Sequence, residues 1–172
     1  MEKPVYLYGY VAAPYRVVAH LLRDQPEALF DRAADESLHR FNQLAAELGV
    51  EVAGRAVARE VVVTLGEFEQ LAKPLPFCRR AVGWKAGSAA SLFPKMEGSL
   101  EARPLSDAES QLSIVGHYHP PLGAVGALLD RLVMHRVAEA SLHRFFVAVA
   151  NRITQLGSGF QPSPPLPKMA PD

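Results

Sequence analysis

The run Gly116-His117-Tyr118-His119-Pro120-Pro121-Leu122-Gly123 reads as a strand leaving a sheet and handing over to a helix. Pro121 suits a first helical position, where its missing N–H has no partner to lose, and Gly157 suits the stop, because glycine tolerates the left-handed cap. Between them residues 122–156 contain no proline, which at 1.5 Å per residue predicts a helix of roughly 50 Å. A rod of that length needs a partner along much of itself.

Working back from this corner, the sequence alternates in twos. Leu112, Ile114, Gly116 and Tyr118 oppose Gln111, Ser113, Val115 and His117, and Met96, Gly98, Leu100 and Ala102 oppose Lys95, Glu97, Ser99, Glu101 and Arg103. Residues 77–86 place Cys78, Arg80, Val82, Trp84 and Ala86 on one side, and the side with Trp84 is the expected core face. Residues 50–53 and 57–68 are rich in valine and read as further strands. The N-terminal residues 4–11 set Val5, Leu7, Gly9 and Val11 against Tyr6, Tyr8 and Tyr10. Two helices are expected after this first strand. One opens at Pro14 and is broken at Asp24-Gln25-Pro26, since the residue before proline resists helical dihedrals. The other carries Leu29, Phe30, Ala33, Leu38, Phe41, Leu44, Ala45 and Leu48 to a glycine cap at Gly49. A strand, two helices, a run of antiparallel strands and one long terminal helix predict an α+β domain in which a curved sheet wraps that helix.

The chain of 172 residues is 49% hydrophobic, enough for one good core, so residues 1–157 are expected to form a single domain. Residues 158–172 carry too many prolines to pack and are expected to be an extended or disordered tail. Their PxxP spacing is more simply a plain tail than a ligand for a proline-reading domain. Lys plus Arg and Asp plus Glu both number 18, so no net field draws the chain to nucleic acid or an anionic membrane. A lone Cys78 cannot form an internal disulfide, and the first residues lack a secretory leader, which leads to a cytoplasmic expectation. No apolar run approaches the ~18 residues of a membrane span.

Several short motifs follow one another in the chain: Trp84-Lys85-Ala86, Leu92-Phe93-Pro94 with Met96 and Gly98, Arg103-Pro104-Leu105, the Gly116/Tyr118/Pro120-Pro121-Leu122-Gly123 corner, Asp130, and Arg136-Val137-Ala138-Glu139-Ala140. In that order they resemble bacterial proteins of the SRPBCC superfamily, the START-like helix-grip group that includes polyketide cyclases and aromatases. The resemblance runs over about residues 4–156. It implies a helix-grip fold with an interior cavity, but fold alone does not imply a function.

The strand faces then name a pocket. Arg80, Val82 and Trp84, Met96 and Leu100, and Leu112, Ile114 and Tyr118 are expected to line it, closed by Leu129, Val133, Arg136 and Val137 from the helix and by Phe93 at the mouth. Arg80 is the exception among apolar neighbours, because a buried guanidinium is costly unless a carboxylate, a carbonyl or a ligand satisfies it. Arg136 is able to anchor a ligand carboxylate or carbonyl, although a packed stem with an acidic neighbour is the plainer account. The Tyr118 hydroxyl is able to bond a ligand, although a backbone carbonyl is the commoner partner. His135, Glu139 and His143 share one helical face at i, i+4 and i+8, which more simply reads as a solvated face than as a metal site. Cys78 has no activating base nearby in sequence. A second stripe on the terminal helix, Leu142, Phe145, Phe146, Val149 and Ile153, is rotated away from the first and is expected to meet the early helices or a partner chain.

These observations favour a protein that binds a small apolar or amphipathic molecule, with no metal or cofactor. Two alternatives stay open. One is a polyketide cyclase-like enzyme using Arg80, Tyr118 or Arg136, and the other is a homodimerising interaction module with a filled core.

Overall fold

In the computed structural model of the chain, residues 2–30, 33–36, 39, 61–86, 95–119 and 131–158 are described, with the side chains of residues 61, 86 and 131–138 excepted. The first strand, β1 (Lys3–Val11), turns Val5 and Val11 inward and leaves Tyr6, Tyr8 and Tyr10 outside, as period-two alternation requires. Helix α1 (Tyr15–Asp24) starts after Pro14, whose carbonyl accepts from the N–H groups of Val17 and Val18. Gln25 leaves the helical region at φ −136°, and helix α2 (helical residues 26–30 and 33–36) begins on Pro26. Val17, Val18, Leu21 and Leu22 of α1 and Leu29 and Phe30 of α2 are buried.

Four strands follow in a meander: β2 (Val61–Leu71), β3 (Phe77–Ala86), β4 (Lys95–Pro104) and β5 (Ser110–His119). With β1 they form one antiparallel, curved sheet in the order β1-β5-β4-β3-β2, so the first and last strands are neighbours. Helix α3 (Arg131–Ser158) packs on the sheet's inner face, giving the helix-grip α+β arrangement. The expected strand at residues 50–53, the start of the next at 57–60, the end of the second helix near Gly49, and the corner at residues 120–130 with Gly123 lie outside the described residues.

The register sorts the inner face into rows. One runs Tyr118, Met96, Trp84, Val63; the next Gly116, Gly98, Val82, Leu65; then Ile114, Leu100, Arg80, Phe68; then Leu112, Ala102, Cys78, Gln70. In the second row two glycines face each other. A Cβ on Gly98 would lie 2.5 Å from the Val115 carbonyl oxygen and 2.8 Å from the Gly116 Cα, so β4 and β5 approach as closely as they do only because both side chains are missing.

One expectation about α3 is met in part and another needs correction. The stripe Leu142, Phe145, Phe146, Val149 and Ile153, expected to meet the early helices or a partner chain, meets the early helices and also the sheet. All five are buried within the chain, with Phe145 4.3 Å from Trp84 and 6.0 Å from Phe30 between ring centroids, and Phe146 filling the space where a Gly9 side chain would be. The second half of the helix is thus a sheet-facing half, because β1 and β3 converge on it as well as α2. Gly157, expected as a left-handed cap, is still helical. Its missing side chain instead admits Ala13, whose Cβ would stand 3.1 Å from one on Gly157.

The glycine pair gives a direct test. Gly98→Ala and Gly116→Ala each drive a methyl into backbone, which cannot rotate aside, so each variant should lose about 1–3 kcal/mol in urea denaturation. Unchanged midpoints would mean that the two strands do not approach as described.

Candidate functional site

Arg80 is the residue for which the sequence most demanded a partner, and its partner is the fold itself. From β3 its Nε donates to the Leu22 carbonyl (3.0 Å), Nη2 to the Arg23 carbonyl (3.1 Å) and Nη1 to the Gly66 carbonyl (2.9 Å). The first two oxygens belong to the last turn of α1, where no further helical N–H is available to them. The third comes from the bulge between Leu65 and Phe68, where the ladder to β3 is interrupted. Three neutral acceptors therefore share one charge, at the negative end of a helix dipole, with the Phe68 ring 5.8 Å away. Arg80 was expected as a ligand anchor or catalytic group. Its guanidinium is instead a clamp between α1, β2 and β3.

Val82, Trp84, Met96, Leu100, Leu112, Ile114 and Tyr118 are brought together as expected, on one face and each at most 5% exposed. Met96 lies between Trp84 and Tyr118 in the first row. Among the described residues the buried Trp84 indole N–H has no hydrogen-bond acceptor. Phe93 and Leu129 lie outside the described residues, as do the side chains of Val133, Arg136 and Val137.

Tyr118 also borders an opening of about 500 Å³ between β1, β5 and α3, lined by Pro4, Val5, Tyr6, Leu7, Glu139, Ala140, Leu142 and His143. Burial pushes the phenol's pKa up, and the Glu139 carboxylate adds to this, so the hydroxyl remains protonated throughout the neutral range. Glu139 and His143, which the sequence assigned to a solvated face, share this opening with Tyr118. The signal for them was their i, i+4 spacing. Missing from the sequence was the pairing of β1 with β5, which carries Val5 and Leu7 to Tyr118. Chemically, the opening combines apolar walls with a hydroxyl, a carboxylate and an imidazole. Among the described residues no three His, Cys, Asp or Glu side chains group as a metal site. A second opening, of about 370 Å³, borders Thr64, Ala81, Gly83, Lys85, Lys95 and Glu97, which alternate to the outer face, and also Val82, Trp84 and Met96 of the inner rows.

At the other end of the inner face the Tyr15 hydroxyl and the Cys78 thiol share a buried corner. Burial raises the phenol from 10.0 to about 12, with Cys78 adding repulsion, and raises the thiol from 9.0 to about 11. Both stay neutral, and Cys78 is no nucleophile.

No family model and no curated protein matches the chain. Among solved structures it is similar to the Zhui aromatase/cyclase from Streptomyces sp. R1128, at 16% identity over 92% of this chain and 94% of that one, with a TM-score of 0.47. It is similar to norcoclaurine synthase from Thalictrum flavum at 11% identity, over 95% and 90% of the two chains, with a TM-score of 0.42. A START superfamily protein from Mycobacterium smegmatis aligns at 13% identity over 89% and 98%, also with a TM-score of 0.42. These are likenesses of fold, and nothing about ligand or reaction follows from them. Among the described residues no helix is long and apolar enough to cross a membrane.

Two outcomes follow from these environments. Arg80→Ala strands three carbonyls and should cost about 1.5–3 kcal/mol in urea denaturation, with Arg80→Lys recovering little because an ammonium lacks the planar fork. A wild-type midpoint for Arg80→Ala would remove the clamp. In the unfolded chain Cys78 and Tyr15 ionise near 9.0 and 10.0, whereas in the fold they hold their protons to about 11 and about 12. Their contribution is complete below pH 9 and is lost as pH rises from 9 to 12, so the thermal midpoint should fall across that window. Cys78→Ala should flatten the first part of the fall.

Proposed function

We propose that this chain binds a small apolar or amphipathic molecule, entering between β1, β5 and α3 and held at its polar end by Tyr118. The observation that carries the reading is the roughly 500 Å³ opening, apolar along Val5, Leu7, Ala140 and Leu142 and polar at Tyr118, Glu139 and His143. Ligand sites commonly combine those properties at about this volume. A ligand burying about 200 Å² of apolar surface there gains on the order of 5 kcal/mol before its loss of freedom is counted. The protonated Tyr118 hydroxyl donates to a carbonyl, carboxylate or ether oxygen of the ligand. The Trp84 indole N–H, in the same row of the sheet, offers a second donor to a ligand that reaches further in. Val82, Met96, Leu100, Leu112 and Ile114, buried on the same face of the sheet, are proposed together with Phe93, Leu129, Val133, Arg136 and Val137 as the residues such a ligand would meet further in. Arg80 is left out of this list, because three of its five N–H donors are already directed at backbone.

A second reading, a cyclase-like enzyme acting on a polyketone, draws on one specific observation: a carboxylate, an imidazole and a phenol border the same opening. In that reading Glu139 or His143 takes a proton from carbon while Tyr118 steadies the developing oxyanion.

Native mass spectrometry of gently purified protein tests binding, and a retained adduct of a few hundred daltons is the expected result. Ala140→Trp should abolish it by filling the opening. Tyr118→Phe should weaken an oxygen-bearing ligand about 5–10-fold, the range of one neutral hydrogen bond. If no adduct is retained and a panel of aromatic and acyl ligands leaves the thermal midpoint unmoved, the binding reading fails. Turnover of a polyketone that Glu139→Gln stops without weakening binding would select the enzyme.

A further inference from the structure

The outer face of β1 carries a feature that the core does not use and that the opening touches only at Tyr6. Tyr6, Tyr8 and Tyr10 are 62%, 58% and 61% exposed, and their ring centroids are spaced 6.0 Å and 6.3 Å apart. Across the ladder they face Val115, Ser113 and Gln111 of β5, and Val115 is itself 38% exposed. Among the described residues β1 is an edge strand, bonded only to β5. Isolated exposed apolar residues need no explanation, but three aromatic rings in a row beside an exposed valine form a contiguous patch.

The position where α3 ends points to an occupant. A Cβ on Gly157 would lie 3.1 Å from Ala13 and 3.6 Å from Val17, so the helix finishes beside the segment that leaves β1, three residues beyond Tyr10. After Ser158 the sequence continues Gly159-Phe160-Gln161 and then Pro162-Ser163-Pro164-Pro165-Leu166-Pro167. The four steps from Ser158 to Pro162 span at most about 14 Å, enough to pass from the helix end round the end of the strand. Six residues in the polyproline conformation span about 19 Å. From Tyr10 to Tyr6 the strand covers about 13 Å. Length and starting point therefore suit a segment laid back along β1, which would run antiparallel to it.

We propose that the tyrosine stripe of β1 is the docking surface for this chain's own proline-rich segment, residues 162–167. Proline rings pack on aromatic faces, and a polyproline segment is stiff before it binds, so docking costs little conformational entropy. The tyrosine hydroxyls, rooted at a dry sheet and reaching water at their tips, donate to the carbonyls of a segment that has no internal hydrogen bonds. Because the segment is tethered, its effective concentration at the stripe is in the millimolar range, and a weak contact suffices.

Lys168 follows the segment directly and makes it testable by trypsin in the intact chain. Cleavage after Lys168 should be at least about 10-fold slower in the native protein than in a synthetic peptide of residues 158–172, the ratio that about 1.4 kcal/mol of docking produces. The triple variant Tyr6→Ser, Tyr8→Ser, Tyr10→Ser should restore the peptide's rate. So should Pro164→Gly with Pro165→Gly, which leaves the sheet untouched and guards against a misfolded β1 variant. If the native chain is cut at the peptide's rate, or if both sets of variants keep the protection, the proposal is overturned. Protection that grows with protein concentration, together with a dimer in light scattering, would assign the stripe to a second copy and likewise overturn docking within one chain.

Discussion

The contact of Phe145 with Trp84 on one side and Phe30 on the other joins the sheet, the terminal helix and the early helices at one point. The rings are fully or nearly buried, tilted by 64° at 4.3 Å and stacked at 13° and 6.0 Å. Removing such a ring from a core costs about 3–5 kcal/mol, a large part of the stability of a domain this size. Phe146, the next residue, packs into the space that Gly9 leaves on β1. Two consecutive aromatic residues thus fix the helix against both halves of the sheet, which also sets how close Glu139 comes to Tyr118.

Polar groups do the same work at the periphery. Arg80 joins α1, β2 and β3 through carbonyls that the helix end and the bulge leave without partners, and Ser110 donates to the Ala13 carbonyl at 2.8 Å beneath the exit of β1. Arg152 of α3 donates to the Ala28 carbonyl in α2, and Arg144 pairs with Glu36 at 3.0 Å. The early helices are therefore held from both sides, by β3 and by α3. The exposed ion pair adds little to stability, whereas the part-buried guanidinium at Arg80 adds more because its acceptors would otherwise be left unpaired. An arginine on an otherwise apolar strand face signalled a need for acceptors, and backbone carbonyls supply three of them at a part-buried position.

The opening at Tyr118 depends on both constraints. β5 positions the phenol, β1 supplies the apolar wall through Val5 and Leu7, and the stretch of α3 just before the aromatic pair supplies Glu139, Ala140, Leu142 and His143. None of these elements encloses the space alone.

Much of this was legible in the residues. Period-two alternation placed Val5, Met96, Leu100, Leu112, Ile114, Trp84 and Tyr118 on inward faces and the three β1 tyrosines outside, because a strand's side chains must alternate whatever the strand pairs with. The break at Gln25-Pro26 was equally local, since proline restricts its neighbour by direct steric contact. What surrounded those side chains was not local. The pairing of β1 with β5, the carbonyls around Arg80, the close approach of Gly98 to Gly116, and the packing of Phe145 and Phe146 on the sheet all join residues far apart in the chain. The sequence by itself determined which side of each element is apolar, because that depends only on backbone geometry and residue type. Only the tertiary structure decided which apolar sides meet and which polar groups become neighbours, because those depend on how the sheet curves and where each helix crosses it.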